Sequence, residues 1–140
     1  MVYLLDVNAL VALGSSVHEF HHRVAVWVRS LASKGIPKLA TCPITELGFV
    51  RVMAQTPQYG STVAHARALL LSLKSANNLE LTFISDDLDA SQLPAWVKFP
   101  NQTTDGHLLQ LARSKGAVLA TLDSQIPGAF LIPFQRTGRS

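Results

Sequence analysis

The stretch Val2-Tyr3-Leu4-Leu5-Asp6-Val7-Asn8-Ala9-Leu10-Val11-Ala12-Leu13-Gly14, residues 2–14, decides the fold. Its first four residues form a short apolar run that reads as a strand buried on both faces. Asp6 ends the run, a short helix follows from Asn8 through Ala9, Leu10 and Ala12, and Gly14 stops it. The same strand-then-acid junction recurs late in the chain, where Ala117 to Leu122 is a buried strand ending at Asp123.

Short apolar runs alternate with helical patterns between these junctions, which is the signature of a layered α/β domain around a largely parallel sheet. A helix from about His18 to Lys34 carries Phe20, Val24, Trp27, Val28 and Leu31 on one face, with Gly35 after it. Lys38 to Thr41 is the second strand, and Pro43 opens a helix to about Gln55. A helix over about Ser61 to Ser75 and a strand over Leu79 to Ile84 come next. Two prolines punctuate residues 86–100, so a short helix or an irregular link is expected there. Thr103 or Thr104 is expected to cap a helix to Lys115, and Ala129 to Ile132 to add an edge strand before a basic tail from about residue 134.

Of the 140 residues, 48% are hydrophobic and 15% charged, which suits one domain over 1–140 and excludes disorder. The apolar N-terminus has no basic lead-in and holds Asp6, so it does not read as a secretory signal, and no run approaches a membrane span. A lone Cys42 makes no internal disulfide, as in reducing compartments. A cytoplasmic location is expected. The net charge of +3 permits a polyanionic partner without requiring one.

The chemistry lies in the placement of four of the nine acids. Asp6 and Asp123 sit at C-terminal strand ends, the edge where open parallel sheets bind ligands. A single Asp there is ordinarily a turn residue; two together point to a site. Glu46 is followed at i+3, i+4 and i+7 by Phe49, Val50 and Met53, and Asp105 by Leu108, Leu109 and Ala112. Each acid therefore shares the apolar face of its helix, where an unpaired carboxylate is costly. A favourable interaction with the helix dipole explains an acid in the first turn but not its apolar side.

If the four converge, carboxylates about 4 Å apart repel by roughly 4 kcal/mol at an effective dielectric of about 20. Either some take up protons or a hard divalent cation sits between them. Oxygen-only ligands select Mg²⁺ or Mn²⁺, and such a centre suits phosphodiester hydrolysis. Arg51, Arg136 and Arg139 are candidates to hold flanking phosphates.

Four ordered segments resemble the PIN domain, and more narrowly the VapC-type toxins of bacterial toxin–antitoxin modules: Leu4 to Leu10, Thr41 to Val52, Thr104 to Ala112 and Leu119 to Asp123. The resemblance runs from Val2 to about Ile132. It implies a three-layer α/β/α fold with an acidic quartet of Asp6, Glu46, Asp105 and Asp123, supported by Asn8 and Thr121. It further implies a Mg²⁺- or Mn²⁺-dependent endoribonuclease acting on RNA, usually a homodimer, held inactive by a cognate antitoxin.

Two other readings compete. An aspartyl-phosphate hydrolase would use Asp6 as nucleophile, but usually wants a second acid two residues on, where this chain has Asn8. A non-catalytic RNA- or protein-binding module on the same fold would grip without cutting. His18 and His22, on one helix face, lack a third ligand and read as a solvated helix start. Asp86, Asp87 and Asp89 read as a solvated loop or cap, and Cys42 as a buried structural thiol.

Overall fold

The computed structural model describes residues 1–134. Five strands form one parallel sheet: β1 (Tyr3–Leu5), β2 (Lys38–Thr41), β3 (Glu80–Phe83), β4 (Val118–Thr121) and β5 (Phe130–Leu131), in the order β3-β2-β1-β4-β5. Five α-helices accompany them: α1 (Val7–Gly14), α2 (His21–Leu31), α3 (Pro43–Gln55), α4 (Val63–Lys74) and α5 (Thr103–Ser114).

Strand alternation sorts the core into two layers. Leu5, Leu39, Leu81 and Ala120 face a cluster with Leu10 of α1, Trp27 of α2, Phe49 of α3 and Leu70 of α4. Leu4, Ala40 and Leu119 face the other way, against Leu108, Leu109 and Ala112 of α5. Leu4 pairs with Ala40 on one side and Leu119 on the other, so the register keeps each face uniform. Four helices thus cover one face and α5 the other, the three-layer α/β/α arrangement. Ile84, just past β3, and Leu88 and Trp96 of the non-periodic link pack beside α5 and widen the thinner layer.

The chain builds outward from β1 to β2 and β3, then returns to place β4 on the opposite side of β1. The crevice between the C-terminal ends of β1 and β4 is therefore a topological switch point. Asp6 follows one strand and Asp123 lies two residues past the other.

Two local readings differ from the structure. The second helix begins at His21, because the His18 ring accepts from the Phe20 N–H at 2.9 Å and holds residues 18–20 in a turn. Neither Thr103 nor Thr104 caps α5: a 3₁₀ turn over Pro100–Gln102 runs straight into it. Gln102 Oε1 accepts from the Lys98 and Phe99 N–H groups, and Thr103 donates back to the Pro100 carbonyl at 2.8 Å. The basic tail, with Arg136 and Arg139, lies outside the described residues apart from its first, Phe134.

Candidate active site

Asp6 is both the cap of α1 and the innermost acid of the crevice. Its Oδ1 accepts from the Ala9 N–H at 2.9 Å, and its Oδ2 accepts from the Thr121 hydroxyl at 2.5 Å. The Thr121 oxygen in turn accepts from the Asp123 N–H at 2.9 Å. One hydroxyl thus ties the two strand ends together. Only 7% of Asp6 is exposed. Burial, opposed by the hydrogen bonds from Thr121 and Ala9 and reinforced by the charges of Asp105 and Asp123, pushes its carboxyl up to about 6.

Asp105, in the first turn of α5, is half-buried, and burial together with the Asp123 charge also raises its pKa. Gly106 beside it has no room for a Cβ, which would stand 2.3 Å from Val97 Cγ2, so the link packs directly on the helix start. Asp123 is exposed, and its Oδ1 accepts from the Gln125 N–H at 2.8 Å. Asp6, Asp105 and Asp123 line one cleft of about 330 Å³ with Asn8, Thr104 and apolar Val7, Val11, Val52 and Leu108.

Glu46 departs from the expectation that four acids meet in one pocket. The apolar stripe behind it forms as read, with Phe49 and Met53 buried. Its carboxylate is taken up elsewhere: Oε2 accepts from the Thr41 hydroxyl at 2.5 Å and from Lys74 Nζ at 2.7 Å. An ammonium offers that oxygen a lower energy than three further carboxylates do. Glu46 lines a larger neighbouring groove of about 1040 Å³ between α3 and α4, where Arg51, Arg67 and Lys74 also stand. Among the described residues no three His, Cys, Asp or Glu side chains are close enough to enclose an ion as they lie. Size does not make that larger groove the reactive one, since it holds a single acid and the smaller cleft holds three.

His18 is the residue the sequence hides. It is buried rather than solvated, and its Nε2 stands 2.7 Å from Asn8 Oδ1. His21 reaches the Ala12 carbonyl at 2.7 Å and His22 is exposed, so the three form no cluster. Asp86 pairs with His107 at 2.6 Å, which gives part of the acidic run a structural role, and Cys42 is fully buried.

A three-layer parallel α/β/α domain with an acidic cleft at its switch point defines a class of sheet-edge ligand sites, and comparison narrows the class. The PIN domain profile matches residues 3–129, and the chain belongs to the PIN domain family. It is 40% identical over 137 residues to Ribonuclease VapC38 of Mycobacterium tuberculosis, covering 95% of this chain and 91% of that protein. It is 35% identical over 139 residues to Ribonuclease VapC44 of the same species, covering 90% and 92%. Among solved structures it resembles M. tuberculosis VapC20, described as a sarcin-ricin loop cleaving toxin, with a TM-score of 0.61 over 95% of this chain and 99% of that one; at 14% identity this likeness concerns the fold.

Proposed function

We propose that this chain is a metal-dependent endoribonuclease toxin of a toxin–antitoxin pair, with Asp6, Asp105 and Asp123 as its working carboxylates and Glu46 joining from the first turn of α3. The observation that carries the reading is the convergence of Asp6, Asp105 and Asp123 on one small cleft at the switch point, with Asp6 pushed to about 6 by burial. The similarity to ribonucleases of the VapC group supports RNA as the substrate.

The donor set fits a hard cation. Among the described residues the acids, Asn8 and Thr104 that line the cleft bring side-chain oxygens, and no sulfur or imidazole lines it. Burial first, and the neighbouring carboxylates after it, displace the Asp6 and Asp105 pKa values upward, and a cation in the cleft would offset both. When bound there, Mg²⁺ or Mn²⁺ supplies Lewis acidity toward a phosphoryl oxygen and toward an attacking water. Asp6, fixed by Ala9 and Thr121, gives the site its rigid reference point, while exposed Asp123 and half-buried Asp105 face the entering strand. Arg51, on the adjoining groove, is exposed and available to flanking phosphates.

A cognate antitoxin, assembly as a homodimer, a single domain over the whole chain and a cytoplasmic setting belong to the same proposal. Among the described residues no helix is long and apolar enough to cross a membrane. The test is cleavage of RNA by purified protein with Mg²⁺ or Mn²⁺, compared with Asp6→Asn and Asp105→Asn. Loss of cutting in both variants with the fold retained is expected. Full activity in both would reject the assignment, and RNA binding without cation-dependent cutting by the wild type would favour the plain binder.

A further inference from the structure

The hydrogen bonds around His18 determine which end of Asn8 faces the cleft. A backbone N–H can only donate, so the 2.9 Å contact from the Phe20 N–H makes His18 Nδ1 an acceptor. Burial lowers the pKa of His18, so its ring is neutral at neutral pH and carries its single proton on Nε2. That Nε2–H donates across 2.7 Å to Asn8, which must answer with its carbonyl oxygen. The amide nitrogen of Asn8, with two N–H groups, is left for the cleft that this exposed side chain lines. Among the described residues Nδ2 has no acceptor.

The cleft gives that nitrogen a purpose. Ionised carboxylates accept hydrogen bonds and cannot donate them, and a phosphodiester has the same limitation. Among the described residues lining the cleft, only Asn8 and Thr104 carry hydrogen on a polar side-chain atom once the acids are ionised. We propose that Asn8 is a substrate-binding residue whose amide N–H groups donate to a non-bridging phosphate oxygen of the RNA, and that His18 is the positioning residue that holds the amide in this sense. The proposal rests on the nuclease reading for its substrate. The orientation of Asn8 stands on the hydrogen bonds alone.

Two measurements test it on the full chain. Nitrogen-15 NMR of the His18 ring in cation-free protein at pH 7.5 should show a protonated Nε2 and a bare Nδ1; the opposite tautomer would overturn the orientation. In steady-state RNA cleavage, Asn8→Ala should raise KM by roughly tenfold or more, the loss expected of one hydrogen bond to a charged group, with a smaller effect on kcat. His18→Leu should do the same, and His18→Gln, whose amide can still donate to Asn8 Oδ1, should recover most of the loss. Should His18→Leu fail to fold, exposed Asn8 still carries the test. An unchanged KM in Asn8→Ala overturns the proposal. If the wild type cuts no RNA, the nuclease reading falls, and RNA-binding titrations decide this inference instead: weaker binding by Asn8→Ala sustains it, equal binding overturns it.

Discussion

Replacing Asp6 by Asn should stabilise the cation-free protein near neutral pH while destroying its activity. The folded pKa of about 6 lies above the ordinary 3.8, so the folded chain holds this proton more tightly than the unfolded chain does. The corresponding stability is fully present below about pH 4 and is lost as pH rises through 6. At about 1.4 kcal/mol per pH unit, the ionised carboxylate costs the fold about 3 kcal/mol at pH 7.5. Asn removes that charge and keeps an oxygen for the Ala9 N–H. Its amide must then donate to Thr121 Oγ1, which already accepts from the Asp123 N–H, and the displaced hydroxyl proton loses its acceptor at a cost of about 1 kcal/mol or more. A net gain of roughly 1–2 kcal/mol remains. Urea unfolding of both proteins at several pH values between 4.5 and 7.5, with a chelator present, measures it. The gap between the two curves should widen as pH rises, because every other titrating group is shared. A constant gap across that range would show that Asp6 carries no burial penalty, and the electrostatic account of the cleft would fail.

Thr121→Val removes a buried hydroxyl that serves both strand ends, so a loss of about 1–3 kcal/mol is expected in denaturant unfolding, together with a further rise of the Asp6 pKa by carbon-13 NMR of its carboxyl. Lys74→Met frees Glu46 from a partly exposed pair, and stability should move by no more than about 1 kcal/mol. Mn²⁺ titration of the same variant should show tighter binding, and an unchanged affinity would mean that Glu46 contributes nothing to the cation. Gly48→Ala places a Cβ 2.5 Å from Val7 Cγ2, against the residue between Asp6 and Asn8. Overpacking of about 1–3 kcal/mol should outweigh the improved helix propensity, as a lowered urea midpoint would show.

The parts of this fold legible in sequence are those where a local rule and the tertiary arrangement agree. Lys38–Thr41 and Pro43–Gln55 form where they are expected, because an apolar run ends at a proline whose fixed φ starts a helix. Asp6 and Asp123 are visible as acids closing buried strands, and the parallel topology then obliges their strand ends to meet. The link over residues 86–100 carries no period because its side chains are placed one by one: Leu88 and Trp96 each find a separate seat beside α5. His18 is invisible for a related reason. Its partners are an amide ten residues earlier and a backbone N–H two residues later, and neither spacing belongs to a helix or a strand.

Glu46 shows where reasoning from spacing stops. The heptad-like offsets that put it on the inner face of α3 are borne out by buried Phe49 and Met53, yet the carboxylate ends beside Lys74, from a helix more than twenty residues further on. Four acids near one sheet edge need counter-charge, and this chain supplies it unequally. Lys74 answers Glu46, water screens exposed Asp123, and half-buried Asp105 is screened in part. The Asp6 side chain, in a residue 7% exposed, has among the described residues two hydrogen bonds and an elevated pKa to set against its burial. The residue with the least compensation is the one at the switch point, so a cation that enters the cleft gains most by reaching Asp6. On the proposed reading, the fourth carboxylate would follow only by leaving its pair with Lys74.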